Sequence, residues 1–261
     1  MAKKPAWVVE KERAARAQAR RSVWLFGLHA VEAALRNPAR DRLRLVVTAN
    51  AEARLGEAIA AAGIAPERAD PRAFPAPLDP GSVHQGAALE ARPLDWGPWQ
   101  EMCAPGSGAP RLVLLDRVSD PHNVGAILRS AEVFGARAVL APARHSAPET
   151  GALAKAASGA LERQPYLRVP NLAEAMRALS ETGYALLGLD EAGEAEIGAA
   201  AAAEAGRPLG LVLGAEGAGL RALTRARCDA LVRIGAAGGF GALNVSNAAA
   251  VALYATRPGE G

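Results

Sequence analysis

From residue 111 onward the chain alternates short apolar runs with segments of helical period, and no other feature limits its fold as tightly. Residues 112–115, 138–140, 184–189, 209–213 and 231–234 read as strands. Residues 123–134, 153–157, 172–181, 220–227 and 244–256 carry apolar side chains at the three- and four-residue spacing of helices. Strands separated by helices pair most simply in parallel, with helices covering both faces of the sheet. The expected class is α/β. Residues 199–203 are low in complexity and read as a surface segment.

The chain before residue 111 reads as a smaller α/β unit. Residues 24–28 suggest a short strand, and 27–36 a helix whose Leu28, Val31, Ala34 and Leu35 share one face. Asn37-Pro38 stops that helix. A strand at 43–48, a helix at 51–62 ended by Gly63, a proline-broken stretch at 64–82 and a strand at 87–91 follow. Residues 93–110 have the proline and glycine content of a linker. The expected division is a basic arm at 1–22, a small α/β domain at 23–92, a linker at 93–110 and a main domain at 111–261.

Charge separates the arm from the rest. Residues 1–21 carry seven Lys and Arg against Glu10 and Glu12, a net +5, which leaves −2 on the remaining chain. A basic arm suits a phosphate backbone, and equally suits a solvated tail. Only 4% of residues are aromatic, so alanine, leucine and valine must fill the core. No apolar run approaches the roughly 18 residues of a membrane span, and no secretory leader is visible. Cys103 and Cys228 lack a Cys-x-x-Cys partner. His29, His84, His122 and His145 lack ligand spacing, so no metal site is expected. A reducing cytoplasm is the expected location.

Three loops carry the polar residues that could do chemistry. In the first, Asp116 to Arg129, a strand runs into a helix. Asp120 or Asn123 can cap that helix, and Arg129 lies off its apolar stripe. In open α/β sheets ligands bind beyond the carboxyl ends of strands. The second, Gly214-Ala215-Glu216-Gly217-Ala218-Gly219, has neither dinucleotide nor P-loop spacing. Its glycines permit close ligand approach or merely a tight turn, and Glu216 could accept from a ligand or from backbone N–H groups. The third runs from Ile234 through several glycines to Leu243-Asn244-Val245-Ser246-Asn247. It opens a helix apolar on nearly all sides, which belongs in a core or a subunit interface. Asn244 there is a cap or a substrate contact.

Taken in order, these three segments resemble the signature motifs of the SpoU/TrmH-type ribose methyltransferases of the SPOUT superfamily. The resemblance spans about residues 111–257. Gly27-Leu28-His29-Ala30-Val31-Glu32 and Val83-His84-Gln85-Gly86 are similar to the small substrate-binding domain of one branch. That branch methylates a guanosine 2'-hydroxyl in large-subunit (23S) ribosomal RNA. The resemblance implies a C-terminal trefoil knot, a rare exception to unknotted chains. It implies that S-adenosylmethionine is the methyl donor, with Gly214, Ile234 and Leu243 at the cofactor. It implies Asn123, Arg129, Glu216 and Asn244 as the polar catalytic set. It also implies RNA as partner, a homodimer through the knot helices and no membrane attachment.

In that family the arginine matching Arg129 is proposed to take the hydroxyl proton. A guanidinium holds its proton strongly, so a phosphate clamp that orients the ribose is the safer role. The chain departs from the pattern at Ala242, where the family has serine, and at Gly235-Ala236, where it has Pro-Met. Two other readings follow: a transfer-RNA 2'-O-methyltransferase, or a non-catalytic RNA-binding assembly factor of the same fold.

Overall fold

The computed structural model describes residues 22–106, 108–235 and 243–257. The basic arm and Ala242 lie outside the described residues. The chain divides into two compact units, one running to Asp95 and including Glu149–Lys155, the other made of Trp96–Pro148 and the chain from Ala156 on.

In the first unit, strands β1 (Val23–Phe26), β2 (Arg42–Val47), β3 (Pro66–Arg68) and β4 (Ala87–Ala91) form a sheet in the order β1-β4-β2-β3. β4 is antiparallel to both neighbours, and β3 joins β2 in parallel. Helices α1 (Leu28–Arg36) and α2 (Ala49–Ala62) pack on each other. Their buried stripes, Val31, Ala34 and Leu35 against Leu55, Ala58 and Ile59, have the spacing expected of amphipathic helices. Strand β3 lies in the proline-broken stretch, where Pro66 opens an edge strand that only β2 pairs.

The second unit opens with helix α3 (Trp99–Met102). Composition marks residues 93–110 as linker, yet Cys103 is buried and Trp96, Trp99 and Met102 pack against the core of this unit. The aromatic and sulfur side chains, rather than the prolines around them, decide where this segment goes.

Seven strands follow: β5 (Arg111–Asp116), β6 (Ala138–Pro142), β7 (Tyr166–Val169), β8 (Ala185–Leu189), β9 (Ala195–Glu196), β10 (Leu209–Gly214) and β11 (Ala230–Arg233). Their order is β7-β6-β5-β10-β8-β11-β9, and every pairing is parallel. β5 is buried along its whole length, as a strand covered on both faces must be. Helices α4 (Pro121–Val133), α6 (Leu172–Glu181), α7 (Ile197–Ala203), α8 (Ala222–Ala226) and α9 (Val245–Ala255) connect or close the strands, while most of α5 (Gly151–Ala157) belongs to the first unit. The alanine run at 199–203 forms the body of α7 and lies at the surface, as expected. Alanine is the best helix former, and burial of Ile197 alone anchors it.

The last helix, α9, is buried along Val245, Ala249, Ala252 and Leu253 but leaves Val251 and Tyr254 exposed. It packs against α4. At the far ends of both helices sits the buried Arg111, which donates to the carbonyl of Leu253 at 2.7 Å and to that of Phe134. Each is among the last carbonyls of its helix, where the helix dipole is negative. Burial holds the Arg111 guanidinium below its usual pKa.

Candidate active site

The carboxyl ends of parallel strands gather loops from distant parts of the sequence, and here they bring three of the four predicted polar residues together. Asp120 caps α4, accepting from the His122 N–H at 3.1 Å, with Pro121 in the first turn. The cap leaves the side chain of Asn123 free for other work. Its Nδ2 donates to Glu216 Oε1 at 3.1 Å. Asn244 Nδ2 donates to Asn123 Oδ1 at 2.9 Å and also to Glu216 Oε1. Asn244 Oδ1 meanwhile caps α9, accepting from the Ser246 N–H at 2.9 Å and from its hydroxyl. Asn244 is thus the cap of α9, and its amide joins Asn123 and Glu216 as well. Among the described residues Glu216 accepts from side-chain amides, not from backbone N–H groups.

Gly214 ends β10 and turns into the Glu216 loop. A Cβ there would lie 2.1 Å from the Gly219 carbonyl carbon and 2.4 Å from the Leu220 nitrogen, so only glycine lets the loop fold back so tightly. The loop borders a cleft of about 660 Å³, within the range of small-molecule and cofactor sites. Leu189, Leu213, Ile234, Leu243 and Val245 supply apolar walls, and Gly214, Glu216 and Asn244 also line it. Leu243 is half exposed on the cleft wall.

Arg129 is exposed on α4, has no partner among the described residues and does not line the cleft. It is six positions from Asn123, which puts it on a different helix face. Asp190 and Arg225, which sequence reasoning passed over, face each other across the cleft rim as an ion pair. The buried Asp116 was missed too: it accepts from the Arg221 N–H at 3.0 Å and from Nε at 2.6 Å. An acidic residue directly after a strand of pure apolar character was the available signal. Burial pushes the thiols of Cys103 and Cys228 up to about 12, so neither is a thiolate nucleophile near neutral pH.

Two family models match the chain. Residues 110–254 match the SpoU rRNA Methylase family and residues 24–96 the RNA 2'-O ribose methyltransferase substrate binding domain. The chain belongs to the SpoU rRNA methylase family. Its relatives include the 23S rRNA (guanosine-2'-O-)-methyltransferase RlmB of Ralstonia nicotianae, 39% identical over 90% of this chain and 94% of that protein. The enzyme of the same name from Escherichia coli K12 is 39% identical over 89% of this chain and 97% of that protein. Among solved structures, the SpoU methyltransferase AviRb from Streptomyces viridochromogenes superposes with a TM-score of 0.74 at 23% identity, over 94% of this chain and 91% of that one. That likeness speaks for the SpoU fold in both units.

Proposed function

We propose that this SpoU family member transfers the methyl group of S-adenosylmethionine to the 2'-hydroxyl of a guanosine in 23S ribosomal RNA. The observation that carries the reading is the Asn123–Glu216–Asn244 cluster, drawn from three distant loops to the mouth of one cleft. The cleft suits the donor: apolar walls for the adenine and glycine backbone for close approach. When bound, the donor supplies an electrophilic methyl group. The protein's part is to align the ribose oxygen with it and shut out water, which is chiefly a matter of positioning. Glu216 and the two asparagine amides fix hydrogen bonds around ribose and donor, with Gly214, Ile234 and Leu243 against the donor. Arg129, exposed and without a partner among the described residues, clamps a phosphate of the target strand and so sets the sugar's orientation.

The same reading includes a homodimer. Exposed Val133 on α4 and Val251 and Tyr254 on α9 form an apolar face on two adjacent helices, and a second copy of this chain covers it. Phe134 meets Tyr254 edge-on at 5.9 Å and Arg257 stacks on Tyr254, so the aromatic surface is already ordered. A trefoil knot is consistent with β10 lying between β5 and β8 and with α9 packing on both α4 and β10. No described helix is long and apolar enough to cross a membrane. The cytoplasm, where ribosomal RNA is assembled in bacteria, is the proposed location.

The test is to incubate the protein with labelled donor and undermodified 23S RNA and to map the product. One guanosine carrying label, with the adjoining linkage resistant to alkali, is expected. Absence of donor binding by calorimetry would favour a non-catalytic assembly factor, the reading that Ala242 supports.

A further inference from the structure

Within the second unit nearly every arginine has a partner. Arg163 pairs with Glu132, Arg177 with Glu174 and Glu181, and Arg207 with Glu204. Others donate to main-chain carbonyls, as Arg137 does to Ala104. Among the described residues three arginines of this unit have neither hydrogen bond nor ion pair: Arg129, already placed in the proposed site, Arg117 and Arg144. All three are exposed.

Arg117 and Arg144 stand on neighbouring loops at the carboxyl end of the sheet. Arg117 follows β5 and Arg144 follows β6, and these strands are paired. The loops are joined, since the Ala147 N–H donates to the Val118 carbonyl. Both loops hold a non-glycine residue in the left-handed region, Arg117 at φ 64° and His145 at φ 62°. Bulky side chains rarely adopt that conformation, and it persists only where the surroundings impose it. For the loop after β6 three side chains do so. Arg168 on β7 donates to the carbonyls of Ala143, Ser146 and Ala147, Tyr166 Oη to Ala147 and Ser146 Oγ to Pro142. The unit thus uses one arginine and two hydroxyls to hold a loop whose own cation is left unsatisfied.

We propose that Arg117 and Arg144 form a phosphate-binding site for the RNA backbone on the methyltransferase unit itself, separate from the substrate-binding domain. The inference rests on the RNA reading above. A phosphodiester is the ligand that two exposed, unpaired guanidiniums on joined loops fit, because bidentate N–H donors match its oxygens. Such contacts fix register and carry no base specificity. Neither arginine touches the donor cleft, so donor binding should not depend on them.

The experiment measures 23S RNA binding to the full chain as a function of salt, together with steady-state methylation. Arg117→Asn tolerates the left-handed backbone, and Arg144→Gln removes the second charge. The double variant should weaken RNA binding roughly tenfold and reduce the slope of log K against log salt by about one for each arginine. KM for RNA should rise, while kcat and calorimetric affinity for S-adenosylmethionine stay level. Arg117→Lys with Arg144→Lys should restore most of the slope, and Arg207→Ala, a paired surface arginine, should leave it unchanged. An unchanged slope in the double variant overturns the proposal. Failure of the wild-type chain to bind RNA would overturn the RNA reading with it, so the two failures are told apart by the wild-type measurement.

Discussion

Helices α4 and α9 begin side by side but are started differently. At α4 the cap is Asp120, and Asn123, a turn further on, reaches Glu216. At α9 a single residue does both jobs: Asn244 Oδ1 caps the helix and its Nδ2 reaches Asn123 and Glu216. Folding and chemistry are therefore separable at one helix and fused at the other. A mutation at α4 can report on the reaction alone. The same experiment at α9 mixes two losses unless the cap is preserved.

The largest effect is expected from Asn244→Ala. It should cut methylation by about 10³-fold and also lower unfolding free energy by about 1 kcal/mol for the lost cap. Initial rates and urea titration measure the two losses separately. Asn123→Ala should cost about 10²-fold in rate with stability within about 0.5 kcal/mol of wild type. A comparably large stability loss would break the contrast. Asn244→Ser keeps a capping oxygen but no amide donor. It should melt like wild type and still lose about 10²-fold in rate, splitting the fused functions. Asp120→Ala is the mirror case, with about 1 kcal/mol lost and turnover within about twofold of wild type.

The individual loops were legible in the sequence because their polar residues stand where apolar strands meet helices. The resemblance also implied Asn123, Glu216 and Asn244 as one set, but not the hydrogen bonds that join them. Asn123 and Asn244 are 121 positions apart, and only strand order, with β10 inserted between β5 and β8, makes them neighbours. The division of labour between Asp120 and Asn123 was likewise open, since either can cap. Strands with a partner on each side, such as β5, announced themselves by unbroken apolar runs. The edge strands β3, β7 and β9 did not: they are short, and Arg168 or the prolines interrupt the pattern. Helix α3 hid inside a proline-rich stretch for the same reason. Arg129 was found by motif, yet its exposed position off the cleft could be learned only from the helix it rides on.

Arg111 gives the opposite ends of α4 and α9 a common clasp. Both helices are then jaws of one pair of tweezers, joined at the base by a guanidinium and meeting at the tips in two amides and a carboxylate. Thirteen residues of α4 at about 1.5 Å each set an arm of roughly 20 Å. Loosening the clasp should therefore be felt at the tips: an Arg111→Met chain should hold the methyl donor a few times less tightly by calorimetry, although the altered side chain never comes near it.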